Sequence, residues 1–124
     1  MVYRVYDTEQ HEWIKDNIYM NLEGDLFMIK QSLFGMVKVP LALSPYRYVC
    51  HKAIDLYDKD GLLVYEGDYL EAKVAEDKTV IGLVCFAEEL SSYIILCEED
   101  STFYTLGSEV CEYIEVVGNV FDGY

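Results

Sequence analysis

Short runs of β-branched and aromatic residues, broken every eight to twelve positions by Gly, Asp, Asn or Pro, constrain this chain more than any other feature. Such spacing suits strands joined by tight turns. Strands are expected at residues 3–6, around Trp13 and Ile14, and at 19–22, 26–30, 48–56, 62–65, 68–74, 80–86, 93–97 and 102–106. Glu23-Gly24-Asp25 puts a glycine at the centre of a three-residue hairpin loop, and Asp58-Lys59-Asp60-Gly61 marks a second turn. Residues 7–12 suit a loop or one short helical turn. Residues 31–44 are harder to place, because Gly35 and Pro40 interrupt the apolar series Leu33, Phe34, Met36, Val37 and Val39; an irregular or edge strand is expected there. Near the C-terminus, Ser108 could cap a helical turn through Cys111 before the β-branched residues 114–120 form a closing strand. The expected fold class is all-β: a small, β-barrel-like single domain (SH3-like) over residues 1–124, with at most short helical turns.

Charge then narrows the function classes. The chain has 9 basic and 23 acidic residues, a net of −14, and the asymmetry is regional. Residues 1–78 hold all nine Lys and Arg with 14 acids, whereas residues 79–124 hold nine acids and no Lys or Arg. Nucleic-acid binding normally depends on basic side chains displacing phosphate counterions, so direct nucleic-acid binding is not expected. The twelve tyrosines and five phenylalanines fit core packing and a protein-binding face better than a base-stacking platform, which would sit in a basic groove. The longest strongly apolar run, 80–87, is eight residues and contains a glycine, so no membrane span is expected. Residues 1–10 are charged and polar and do not resemble a secretory leader, which points to a cytoplasmic protein. Cys50, Cys85, Cys97 and Cys111 are widely spaced beside apolar residues, as expected of buried, reduced thiols.

Against this background three ordered blocks carry a family likeness. Tyr3-Arg4-Val5-Tyr6-Asp7 followed by Trp13-Ile14 is the first, and residues 54–68, from Ile54-Asp55-Leu56 to Tyr65-Glu66-Gly67-Asp68, are the second. Gly82, Val84 and Phe86, with Ile114-Glu115-Val116-Val117-Gly118-Asn119-Val120-Phe121, make the last. Together they resemble the YopX family of bacterial and prophage proteins. The resemblance implies a β-barrel-like fold over nearly the whole chain and occurrence in bacteria and their phages, and it brings no established reaction or catalytic residues. Family members often continue past the final block in a Glu-Asn-Pro-Glu-Leu tail, where this sequence reads Asp122-Gly123-Tyr124. Residues 19–46 align least.

The candidate site residues are weighed on chemistry. Asp58-x-Asp60-Gly61 invites a calcium-loop reading, but the register puts Leu56 and Gly67 where the first and last carboxylate ligands belong. A hairpin turn is expected instead. Tyr65, Glu66, Gly67, Asp68, Gly118 and Asn119 are the family-signature positions; a structural role is expected, with glycine allowing a turn or bulge and aspartate accepting from nearby backbone N–H groups. Cys50 and His51 are adjacent, so on a strand they face opposite ways and cannot form a dyad with each other. Neither Cys-x-x-Cys nor His-x-x-x-His occurs. No catalytic residue, metal or cofactor is expected. Glu88, Glu89, Glu98, Glu99, Asp100, Glu109 and Glu112 are the candidate acidic partner surface. The expected function is a non-enzymatic protein-interaction module with a basic protein partner, homo-oligomerisation being open. The alternatives are a small carboxylate-dependent enzyme using Glu66 and Asp68, or a nucleic-acid mimic that inhibits a basic host protein.

Overall fold

A computed structural model describes residues 2–41, 46–99, 101–107 and 113–124. Strands account for about 63% of the described residues, which makes the class all-β. The chain is organised as two compact units, Met1–Lys52 and Ala53–Tyr124. No Gly- or Pro-rich linker separates them. The boundary falls inside one strand, Tyr48–Tyr57.

In the first unit, β1 (Tyr3–Asp7) pairs antiparallel with β2 (Glu12–Trp13) and with the first half of β6 (Tyr48–Tyr57). A second sheet runs β3 (Ile18–Met20), β4 (Leu26–Ser32), β5 (Gly35–Pro40) in that order. The hairpin around Gly24 forms as the sequence requires, with Gly24 at φ +88° and the Asn21 carbonyl oxygen of the side chain accepting from the N–H groups of Glu23 and Asp25. The difficult stretch resolves differently from an irregular strand: β4 and β5 are a regular hairpin turning through Leu33-Phe34, with Gly35 at φ +116°, and β5 is an edge strand. Residues 42–44 of that stretch lie outside the described residues. The core is small, built on buried Val5, Met28 and Leu41 with Ile14, Ile18 and Tyr48 packed around them.

The second unit takes the latter part of β6, which pairs with β7 (Leu63–Tyr65) across an irregularity between Ala53 and Tyr57, where Asp55 sits at φ +57°. Its main sheet is β8 (Asp68–Ala75), β9 (Lys78–Ala87), β10 (Ser92–Cys97), β11 (Thr102–Thr105) and β12 (Ile114–Asn119), in the spatial order β11-β10-β9-β8-β12 and all antiparallel. A 3-10 turn, Glu88–Leu90, joins β9 to β10. Side chains alternate across the sheet, and Leu70, Ala72, Val84, Ile95 and Ile114 form the buried core with Val64. Two cysteines depart from the burial expected of them: Cys97 is buried, but Cys85 is half-buried and Cys50 exposed, while Cys111 is outside the described residues. The proposed helical turn through Ser108 and Cys111 is also outside them.

Candidate functional site

The family-signature residues turn out to be wired into backbone. Asp58 is buried; its Oδ1 accepts from the N–H groups of Asp60 (2.9 Å) and Leu62 (2.8 Å), and its Oδ2 accepts from that of Val116 (3.1 Å). Burial acts to raise its pKa, but these three backbone bonds outweigh it, and the carboxyl is held below its usual 3.8. The neighbouring Lys59 N–H donates to the Ile114 carbonyl (3.0 Å). One turn thereby occupies the free edge of β12, as sheet edges require.

Asp68 is 1% exposed, and its Oδ2 accepts from the Tyr65 N–H at 2.9 Å, closing the Tyr65-Glu66-Gly67-Asp68 turn. Gly67 takes φ +85°, donates to the Val84 carbonyl and accepts from the Val120 N–H, both at 3.0 Å. Glu66, half-buried in the same turn, adds to the burial that pushes the Cys85 thiol pKa up. At the other end of the signature, Asn119 Oδ1 accepts from the N–H groups of Phe121 and Asp122, and Gly123 donates back to the Asn119 carbonyl (2.8 Å). That loop folds the last residues over Gly118. A Cβ there would lie 1.9 Å from the Gly123 oxygen and 2.6 Å from the Tyr124 Cβ, so only glycine fits.

The acidic residues are distributed otherwise than the sequence suggested. Glu88 and Glu89 lie before β10 and Glu98 and Glu99 after it, all exposed. Six strand residues separate the pairs, about 20 Å at ~3.3 Å per residue. Among the described residues the four fall in two separate pairs. Asp100, Glu109 and Glu112 fall outside the described residues.

What links the two acid pairs is apolar, and the sequence reading missed it. Phe103 stands opposite Leu96, Leu96 opposite Leu83, Leu83 opposite Tyr69, and Tyr69 opposite Gly118, a cross-strand row over all five strands. This row lies on the face opposite the core, because Tyr104, Ile95, Val84 and Leu70 point the other way. Phe103 is 53% and Leu96 37% exposed. Tyr124, carried over Gly118, packs on Tyr69 with ring centroids 4.6 Å apart and extends the row. Each end opens into a depression. Phe103, Ile94 and Leu90 line one of about 430 Å³ with Glu88 and Glu89; Leu96, Ile81, Tyr69 and Tyr124 line another of about 680 Å³ with Glu98, Glu99 and Lys78. The signal available in the sequence was the alternation of 80–86 and 93–97 with large residues in both phases, which marks a sheet apolar on two faces.

In the first unit, the opening block is equally well packed. Arg47 clamps Asp7 in a two-bond ion pair (Nε to Oδ1 and Nη2 to Oδ2, both 3.0 Å), which holds the Asp7 pKa below 3.8. The Arg4 guanidinium lies 4.5 Å from the Trp13 ring centre and 3.3 Å from His51 Nδ1, and Trp13 meets Tyr6 edge-on at 5.0 Å. Among the described residues, no group of three or more His, Cys, Asp or Glu is placed to hold a metal ion, and no helix is long and apolar enough to cross a membrane.

An all-β chain whose signature residues are turn and edge clamps is the class of protein that this geometry defines. The sequence matches the YopX protein family over residues 2–123, and the chain belongs to that family. Among solved structures it is similar to protein yopX from Bacillus subtilis, with 19% identity, a TM-score of 0.62 and coverage of 96% of this chain and 91% of that one. It is also similar to protein EF1440 from Enterococcus faecalis, with 17% identity, a TM-score of 0.50 and coverage of 96% and 92%. At these identities the likeness concerns the fold. No curated protein matches the sequence.

Proposed function

We propose that the chain is a non-enzymatic protein-interaction module whose partner surface is the acid-rimmed apolar face of the five-stranded sheet. The observation that carries this is the row Phe103, Leu96, Leu83, Tyr69, continued by Tyr124, in which Phe103, Leu96 and Tyr124 are exposed and Leu83 and Tyr69 half-buried. A side chain row open to water on the non-core face of a sheet is the kind of surface that partners cover. Exposed Glu88, Glu89, Glu98 and Glu99 at its rim favour a basic partner through steering and register. Asp68 supports this reading over a carboxylate-dependent enzyme, since its Oδ2 is bound to backbone and the residue is buried. The two separated acid pairs likewise favour it over phosphate mimicry, which needs charges in a closely spaced series.

The test is capture from a bacterial lysate at low salt with identification by mass spectrometry. A basic protein should be retained, released as ionic strength passes about 0.15 M, lost with Phe103→Asp and kept with Leu22→Asp, an exposed change in the first unit. If no protein distinguishes wild type from Phe103→Asp, the reading fails.

A further inference from the structure

The first unit holds a surface of opposite character. Residues 26–40, the β4–β5 hairpin, carry Lys30 and Lys38 and no acid, in a chain whose net charge is −14. Its turn residues Leu33 and Phe34 are 98% and 100% exposed, and Met36 and Val37 beside them are 64% and 46% exposed. Two adjacent large apolar side chains fully in water at a hairpin tip are unusual for a surface that stays uncovered. The tip is convex, apolar and basic. The sheet face described above is apolar and has a depression at each end, one carrying Glu88 and Glu89 and the other Glu98 and Glu99 with Lys78, so its rim is acidic by four carboxylates to one ammonium.

We propose that the occupant of the sheet face is the β4–β5 hairpin of a second copy of this chain. This rests on the reading of that face as a partner surface and takes the basic partner to be the Lys30- and Lys38-bearing hairpin of an otherwise acidic chain, in place of a separate basic protein. Leu33 and Phe34 of one copy enter beside Leu96 and Phe103 of the other, while Lys30 and Lys38 meet Glu88, Glu89, Glu98 and Glu99. The contact joins two different patches, so each copy has both a tip to give and a face to receive one. An anionic lipid surface would also take an apolar, basic tip, but the chain's large negative charge opposes it.

The experiment is sedimentation of the full chain at about 50 mM and about 500 mM salt, up to high micromolar concentration. Wild type should sediment above monomer mass at low salt and dissociate at high salt. The double change Leu33→Asp and Phe34→Asp should weaken association at least about tenfold, and so should Phe103→Asp. Circular dichroism should be unchanged for the tip variant, since both residues are exposed. The decisive measurement mixes the two variants. One keeps an intact face and the other an intact tip, so the mixture should recover a dimer that neither forms alone. A mixture that stays monomeric while wild type associates would mean a like-with-like contact and overturn the proposal. So would a monomeric wild type, or retention of the tip on phosphatidylserine vesicles without self-association. If wild type is monomeric but a lysate partner is still lost with Phe103→Asp, the partner-surface reading stands and only the self-association falls.

Discussion

Ala53–Tyr124 and Met1–Lys52 reach stability by different means. The second unit has six fully buried core residues and an aspartate, Asp58, that ties a turn to a strand 58 residues away. The first unit has three buried core residues; its carboxylate Asp7 and amide Asn21 accept from N–H groups only two to four residues ahead. Its longer-range polar ties are the Thr8 hydroxyl donating to the Tyr46 and Arg47 carbonyls, and two side-chain pairs, Arg47 with Asp7 and Arg4 with His51. A carboxylate bound to buried N–H groups is costly to lose because the donors remain desolvated, whereas a part-exposed ion pair is replaced by water at low cost. The difference teaches where rigidity lies. The second unit presents a preformed face, and the first presents an apolar tip on a lightly anchored sheet.

The sharpest way to break that contrast is Asp58→Ala. Three backbone N–H groups lose their acceptor at a buried site, so a loss of about 3–5 kcal/mol is expected. Hydrogen exchange should show lost protection at Leu62 and Val116 with the amides of β1 and β4 unchanged. A uniform loss over both units would mean that the two do not differ in the way described. Asp58→Asn, which keeps one acceptor oxygen, should lose less.

Second in size is Met28→Ala. Met28 is fully buried in the smaller core, and its truncation should cost about 2–4 kcal/mol, read in chemical denaturation. Protection should fall in β3, β4 and β5 and persist in β8, β9 and β10. Equal loss in β9 would show that the cores are one cooperative block.

How much of this was legible in the sequence depended on the range of each interaction. The turn at Asp58 was readable because its first two bonds are local, to Asp60 and Leu62. Its third, to Val116, joins residues that no periodicity connects. Asp68 and Gly67 were legible as a turn for the same local reason, while the need for glycine at Gly118 arises from Tyr124 folding back and is tertiary. The Leu33-Phe34 turn was missed because its residues are apolar, the reverse of the usual turn chemistry, leaving only Gly35 as a sign. The acidic residues looked like one surface because composition has no geometry. Strand β10 places them in two pairs, and the row between them emerges only from the register of five strands.

The smallest expected effect is also the one that separates the units by pH. Burial of the His51 ring, and then the nearby Arg4 charge, push its pKa from 6.5 down to about 4. An unfolded chain takes up this proton below 6.5 and the folded one does not, so the stabilisation is complete above pH 6.5 and is lost as pH falls from 6.5 to about 4. Asp7 and Asp58 act in a lower window: their folded values lie below 3.8, so their contributions are full above that pH and vanish as pH falls through the folded values. Acidification should therefore weaken the first unit before the second. His51→Gln removes the titration and keeps an acceptor for the Arg4 guanidinium, and the part-exposed ring limits the effect to about 1 kcal/mol after solvent screening. Denaturation midpoints of the β1–β6 amides, followed between pH 7 and pH 4.5, should slope in wild type and flatten in His51→Gln. An unchanged slope in the variant would overturn the assignment to His51, since the Arg47–Asp7 clamp acts only below pH 3.8.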